Sequence, residues 1–451
     1  MFRRVLVVAM ALTGVGLFGC AEESENSAAP ANLEESVDSV EPAKLAVAAQ
    51  TPVGWLPYPE NAGPLPGWTG KVFQLSVDFP SQVSDEQPQF MSIDFQQNPD
   101  AYWRSVRNYI YEGNIGRGDD PQGNSLDWNT QTNPVRTWYN MPWRAYGPNA
   151  REFINGLTRE FPASPGTLDP TQQHFAYTWA RAIYNPIAAY TLGQVWDDET
   201  GPPDLADAKF ADGAVIAKLL FTTAVESDVP YVRDAYTWQA NTYADPKNCD
   251  KEDCARKVTD VHLFQIDFAI KDPRASETQW VFGTFVHDPS LPGDGFSWDK
   301  MVPLGFMWGN DPGLTSNDPN GVPTQSKIYD NTHIYEHMGC HKRLVGPVDN
   351  PKSACLSCHM SAQHPLPESP IAPGKLEDCD SPGNAAYWTN LKSGDILWPT
   401  DGAYSLDYSM EMTSAVQNYF TASKQITISS DGKTYRDKDS DQEHNTARRH
   451  E

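Results

Sequence analysis

Alternating apolar and polar positions run through the middle of the chain, and this two-residue period is typical of β-strands. Five segments show the alternation or a short continuous apolar run: residues 73–79, 214–221, 261–270, 280–286 and 301–308. A regular strand over the longest alternating segment would put on one face His262, Phe264, Ile266, Phe268 and Ile270. Turns such as Asp212-Gly213 between these segments predict an antiparallel sheet.

A helical period marks three segments in the N-terminal half. The first begins at Asn98-Pro99, a capping residue followed by a proline at the first helical position. A second is expected after residues 147–149 and through residue 157, and a third between Pro170 and Pro186. The predicted fold class is therefore α+β, a mainly antiparallel β-sheet domain with helices packed on it and the helical part towards the N-terminal half.

Composition divides the chain into one large domain with two polar ends. Residues 20–54 are rich in Ala, Ser, Glu and Pro. Residues 425–451 are polar, and from Asp431 onwards nearly all are charged or small, so both ends are expected to be disordered. The domain between them spans residues 55–424, with a possible sub-boundary near residue 205.

The N-terminus predicts export and a lipid anchor. Two arginines precede a short apolar run over residues 5–18, which is too short to span a bilayer. The run ends in Leu17-Phe18-Gly19-Cys20, which resembles a bacterial lipobox and predicts a signal peptide over residues 1–19 with lipid on Cys20. An ordinary secretory signal is the alternative, and it exports the chain as well. Ala21 and Glu22 favour the outer membrane, facing the periplasm.

Charge narrows the range of partners. The net charge of −25 at pH 7 makes the chain repel nucleic acid and anionic lipid head groups. We therefore expect no nucleic-acid partner, and a membrane contact only through the lipid anchor. The charge does not indicate an oligomeric state.

The chemistry of the chain centres on Cys355-Leu356-Ser357-Cys358-His359, the attachment signature of c-type haem. The two thiols would form thioether bonds with one haem, and His359 would be its proximal iron ligand. Two alternatives are a structural disulfide, which a two-residue gap strains, and half of a zinc site, which lacks a second pair. Attachment of haem c requires export, which the N-terminus predicts.

Four of the seven cysteines are left once lipid and haem are assigned. They are Cys249, Cys254, Cys340 and Cys379. An oxidising compartment favours the disulfides Cys249–Cys254 and Cys340–Cys379. Free thiols are the alternative, because sequence does not determine connectivity.

The segment Phe210-Ala211-Asp212-Gly213-Ala214-Val215-Ile216-Ala217-Lys218, followed by a Trp-containing strand and a late C-x-x-C-H, resembles the cytochrome P460 and cytochrome c′-β group. The resemblance covers residues 210–360 and implies a mainly antiparallel β protein with one haem c. It also implies chemistry on hydroxylamine or nitric oxide. Lys218 would match the lysine that cytochrome P460 crosslinks to haem. The alternative for Lys218 is a solvated strand residue.

The second iron ligand divides the possible functions. His333 and His337 lie one helical turn apart in a histidine-rich segment, and Met410 follows the motif as a later methionine does in small class I cytochromes c. A sixth ligand predicts electron transfer with a redox partner protein. An open site predicts a P460-like enzyme or gas binder acting on a small nitrogen species or peroxide. A cell-surface lipoprotein with structural haem is a third possibility.

Overall fold

The computed structural model describes residues 71, 73–85, 87–115, 126, 128–144, 151–152, 157–160, 162–198, 201–245, 255–275, 277–308, 343–349, 354–366, 391–423, 426–428 and 434–436. Several predicted features lie outside these residues: the signal peptide, the tether, the helix start at 147–149, Cys20, Cys249, Cys254, Cys340, Cys379, His333 and His337. Among the described residues, no helix has the length and apolar character needed to cross a membrane.

An eight-stranded antiparallel sheet forms the centre of the fold. Its strands are β1 (Arg151–Glu152), β2 (Leu157–Arg159), β3 (Thr178–Tyr184), β4 (Val215–Thr222), β5 (Tyr236–Tyr243), β6 (Arg256–Lys271), β7 (Trp280–His287) and β8 (Met301–Trp308). The order is β1-β2-β3-β4-β6-β7-β8, and β5 pairs with the first half of β6. Gly213 has a φ of 85°, which suits glycine, so the predicted Asp212-Gly213 turn before β4 is confirmed.

Within the described residues, four α-helices accompany the sheet: α1 (Pro99–Glu112), α2 (Pro186–Val195), α3 (Cys355–His359) and α4 (Met410–Ser423). Side chains of α1 pack on one face of the sheet with Val215, Leu219 and Phe285, and we call this the α1 face. Helices α2, α3 and α4 contribute to the core on the other face, which we call the motif face. The predicted α+β class with a mainly antiparallel sheet is confirmed.

Four short strands lie outside the central sheet. They form two antiparallel pairs, β9 (Gln363–His364) with β10 (Tyr404–Ser405) and β11 (Ile426–Ile428) with β12 (Thr434–Arg436). The second pair lies within residues 425–451, for which the sequence predicted no regular structure. Within the early segment 73–79, Phe73 and Leu75 are buried, and Gln74 and Ser76 form isolated bridges.

Two of the three predicted helices are contradicted. The helix at Asn98-Pro99 is confirmed as α1, but Leu157–Arg159 is β2 and Thr178–Tyr184 is β3. All seven residues of β3 are buried, so its apolar positions fit a helical period as well as a strand period. Pro186 begins α2 instead of ending a helix, and the side chain of Asn185 caps α2 by accepting a hydrogen bond from the backbone N–H of Ala188 at 2.9 Å.

A β-bulge overturns the predicted single face of β6. Leu220 and Phe221 of β4 face Gln265 and Leu263, so Phe264 is an extra residue in the pairing. Phe264 therefore packs on the motif face, whereas Ile266, Phe268 and Ile270 pack on the α1 face. His262 is half-buried, and its Nδ1 lies 2.9 Å from the hydroxyl of Thr237.

Candidate haem-attachment site

Helix α3 presents the three chemical groups of the motif together. Cys355, Cys358 and His359 occupy positions i, i+3 and i+4, which are neighbours on a helix surface, and all three are partly accessible. The intervening residues Leu356 and Ser357 are buried. Both thiols are free, so this pair does not form the disulfide considered above. The helix therefore fits a haem that takes two thioethers and one imidazole from a single turn.

Backbone contacts fix the start of α3. The N–H of Cys355 donates to the carbonyl of Leu344 at 3.1 Å, and its thiol lies 3.5 Å from the same oxygen. Leu356 and Met360 then pack into the motif-face core. Burial of these apolar side chains orients the helix against the sheet, with Cys355 packed at the edge of that core and Cys358 partly accessible.

A backbone carbonyl sets the tautomer of His359. Its Nδ1 lies 2.7 Å from the carbonyl oxygen of Tyr408, which can only accept a hydrogen bond, so Nδ1 carries the proton and Nε2 carries the free lone pair. The imidazole ring packs against Phe282 with ring centroids 4.8 Å apart. Metal-bound histidines commonly have this arrangement, with one nitrogen on the metal and the other donating to a carbonyl.

Burial keeps the His359 imidazole neutral. Desolvation lowers the pKa of His359 to about 4, and the positive charge of Lys218 acts in the same direction. The hydrogen bond to Tyr408 opposes this shift without cancelling it. Because a metal binds the neutral imidazole, His359 is in the form that an iron ligand requires at neutral pH.

The carbonyl of Tyr408 belongs to a strained turn. Asp407 and Tyr408 have φ values of 44° and 68°, in the left-handed region that costs an L-residue roughly 1–2 kcal/mol. The carboxylate of Asp407 holds this turn by accepting hydrogen bonds from four donor groups. The donors are Lys271 Nζ at 2.8 Å, Phe210 N at 2.9 Å, Trp280 Nε1 at 3.0 Å and Ser393 Oγ at 3.0 Å.

The pair Lys271–Asp407 is almost fully buried. The side chains are 1% and 2% exposed, and Nζ lies 2.8 Å from both carboxylate oxygens. Desolvation lowers the pKa of Lys271, and the charge of Asp407 opposes that shift. Sequence reasoning missed both residues. The one available signal in the sequence was that Lys271 directly follows the apolar segment 261–270, because a charge buried there needs a partner of opposite charge.

A group of charged side chains lies on the motif face near Cys355, and we call it the acidic cluster: Glu160, Asp267 and Asp349 with Lys218. The Nζ of Lys218 lies 2.7 Å from Glu160, and this lysine side chain is 36% exposed. Burial tends to lower the pKa of Lys218, but the carboxyls of Glu160, Asp267 and Asp349 together outweigh burial, and the pKa is raised. The position predicted for Lys218 thus lies close enough to the motif for its charge to act on His359.

Burial raises the pKa of two carboxyls of the acidic cluster, those of Asp267 and Asp349. Burial raises the pKa of Asp267 to about 7, and the charge of Asp349 adds to the shift. Its Oδ1 accepts hydrogen bonds from Gln265 at 2.7 Å and Thr284 at 2.9 Å. Burial also raises the pKa of the Cys355 thiol, with the charges of Asp349 and Asp267 contributing. An Asp in the middle of an apolar strand was the sequence signal for this cluster, and it went unused.

Of the candidate sixth ligands, Met410 lies within the described residues, whereas His333 and His337 do not. Met410 begins α4, and its sulfur lies 3.5 Å from the hydroxyl of Ser361. It follows Tyr408 by two residues, and Tyr408 contacts the Nδ1 side of His359. His364, a weaker candidate, stacks on Phe420 with ring centroids 4.9 Å apart, and burial lowers its pKa to about 4.

No protein-family model, curated protein or solved structure matches the chain. Within the described residues, no group of three or more His, Cys, Asp and Glu side chains is arranged to hold a metal ion.

Proposed function

We propose that the protein is a mono-haem c-type cytochrome. Cys355 and Cys358 would hold the haem covalently, and His359 would bind its iron through Nε2. The observation that carries this proposal is the single turn of α3, which presents both free thiols and an imidazole of fixed tautomer on one accessible side. A bound haem c supplies one-electron chemistry.

The chain's own residues would define the proximal environment. The backbone carbonyl of Tyr408 accepts a hydrogen bond from Nδ1, which would leave Nε2 available to the iron, and Phe282 covers one ring face of His359. Trp280 stacks behind Phe282 with ring centroids 6.0 Å apart. These apolar walls favour a neutral ligand and a defined ring orientation.

We assign this cytochrome to electron transfer with a redox partner protein. It would be exported and anchored by lipid on Cys20, on the periplasmic side of the envelope and with the outer membrane favoured. The signal-like residues 1–19 support export, which maturation of haem c requires. The histidine-rich segment that carries His333 and His337 supports a six-coordinate iron, since either imidazole could fill the remaining position.

One observation favours a second candidate function, a P460-like enzyme or gas binder. The acidic cluster lies near Cys355, and the pKa of Asp267 at about 7 lets its carboxyl gain or lose a proton near neutral pH. Proton exchange beside a haem suits chemistry on hydroxylamine, nitric oxide or peroxide. Lys218, which would match the lysine that cytochrome P460 crosslinks to haem, pairs with Glu160 in this cluster. Of the aromatic residues of β6, Phe264 packs on the motif face and could line such a pocket, whereas Phe268 packs on the opposite face.

Carbon monoxide binding to the ferrous protein separates the two functions. The protein should be produced in a host that matures c-type cytochromes and reduced at neutral pH. An electron-transfer cytochrome with a filled sixth position binds carbon monoxide slowly or not at all. Rapid, stoichiometric binding would mean an open site and would overturn the assignment to electron transfer in favour of the second function.

A further inference from the structure

We propose that the buried Lys271–Asp407 pair is a positioning device for the imidazole of His359. The pair holds the Asp407–Tyr408 turn in a left-handed conformation that directs the Tyr408 carbonyl at Nδ1. The consequence for iron rests on the proposed function, whereas the consequence for the tautomer of His359 does not.

The pair joins two distant parts of the chain. Lys271 ends β6, and Asp407 lies 136 residues later, just before α4. Neither side chain has access to water, so the ammonium and the carboxylate depend on each other and on the neutral donors around them. Displacing Asp407 would leave Lys271 charged without its partner, and the turn is therefore fixed to the sheet.

The turn needs this support because two consecutive non-glycine residues have positive φ values. Tyr408 is fixed at its other end as well, since its hydroxyl donates to the carbonyl of Leu391 at 3.0 Å. The side-chain contacts of Asp407 and Tyr408 thus hold the backbone carbonyl of Tyr408 in one direction. That direction gives the 2.7 Å contact with His359.

A carbonyl acceptor at Nδ1 makes the imidazole a stronger electron donor through Nε2. Stronger donation stabilises ferric over ferrous iron and lowers the reduction potential. Weakening this hydrogen bond should therefore raise the potential. A role in folding alone would change stability and leave the potential unchanged.

The test compares Asp407→Asn with Asp272→Asn in the haem-loaded full chain. Asparagine tolerates the left-handed region, while Asp407→Asn removes the charge and replaces one of the two accepting oxygens with an NH2 donor. Asp272 is a matched control because it is buried, ion-paired with Arg274 at 2.5 Å and adjacent to Lys271. We expect Asp407→Asn to raise the midpoint potential and shift the iron–histidine vibration to lower frequency, and Asp272→Asn to leave both unchanged.

A potential and vibration unaltered in Asp407→Asn, or shifted equally in Asp272→Asn, would overturn the proposal. If Asp407→Asn fails to fold, the double variant Lys271→Met with Asp407→Asn removes the unpaired ammonium and allows the same measurements. Haem content of the parent protein is measured first, because its absence would refute the proposed function instead. In that case, nitrogen NMR of His359 still reports whether Asp407→Asn changes the tautomer.

Discussion

The Nδ1 of His359 lies 2.7 Å from the carbonyl oxygen of Tyr408, 49 residues later in the chain. The motif thus supplies the imidazole, and a separate segment supplies the carbonyl that keeps the proton on Nδ1. Tyr408 follows Asp407, whose carboxylate reaches the end of β6 through Lys271. The candidate proximal site therefore extends from the helix that carries the motif into the sheet, through one turn and one ion pair.

Replacing the motif cysteines should release the haem in steps. Either Cys355→Ser or Cys358→Ser leaves one thioether, so the haem should stay on the polypeptide in acid-organic extraction but with an altered α-band in the pyridine haemochrome spectrum. The double variant should lose its colour to the organic phase, because no covalent bond remains. Ser361, in the turn after α3, offers a control as Ser361→Ala. Extraction of haem from the parent protein would contradict the attachment.

Replacing Cys20 should change location without changing haem content. Cys20→Ser removes the thiol that would carry lipid. A protein with one acyl chain or none binds a membrane weakly compared with a protein that carries several. We expect the variant to move from the membrane fraction to the soluble periplasmic fraction with an unchanged haemochrome spectrum. A variant that still sediments with membranes would show that the anchor lies elsewhere.

The residues of the motif could be predicted from sequence because their spacing is local. The thiols and the imidazole lie within one helical turn, and that turn forms as expected. The sheet was also predictable, since β4, β6, β7 and β8 each carry a strand pattern. By contrast, Tyr408 acts through its backbone carbonyl, and its side chain gives no sign of that role.

Two errors in the predicted elements and one missed ion pair have physical causes. A wholly buried strand such as β3 has no polar face to reveal its period. The bulge at Phe264 changes which side chains share a face, and a bulge leaves little trace in an apolar run. Pairs such as Lys271–Asp407 form only through the tertiary fold, since no local pattern relates two charges that far apart.

Removing the sixth ligand should open the iron to carbon monoxide. The parent ferrous protein should bind little carbon monoxide. One of the variants His333→Ala, His337→Ala or Met410→Ala should bind carbon monoxide rapidly and stoichiometrically. His174→Ala is a matched control, because that side chain is 81% exposed and pairs with Asp228. If all three variants behave like the control, none of the three residues is the ligand. His364→Ala would then be the next variant to measure.

Stability should depend on pH through Asp267. Burial raises its folded-state pKa to about 7 from an ordinary value of 3.8, so the folded protein binds this proton more tightly than the unfolded chain. The favourable contribution is complete below the unfolded pKa and is lost as pH rises towards about 7. The slope is at most about 1.4 kcal/mol per pH unit for one proton.

Asp267→Asn removes this titration while keeping an oxygen that can accept from Gln265 and Thr284. Relative to the parent, the variant should therefore gain free energy of unfolding between about pH 4 and about pH 7, as measured by urea denaturation. Thr284→Val should do the opposite, because it removes a 2.9 Å hydrogen bond that favours the ionised carboxylate, so its cost should grow with pH. If Asp267→Asn instead loses stability relative to the parent as pH rises, the carboxylate is stabilised by the fold, and the acidic cluster holds no proton near neutral pH.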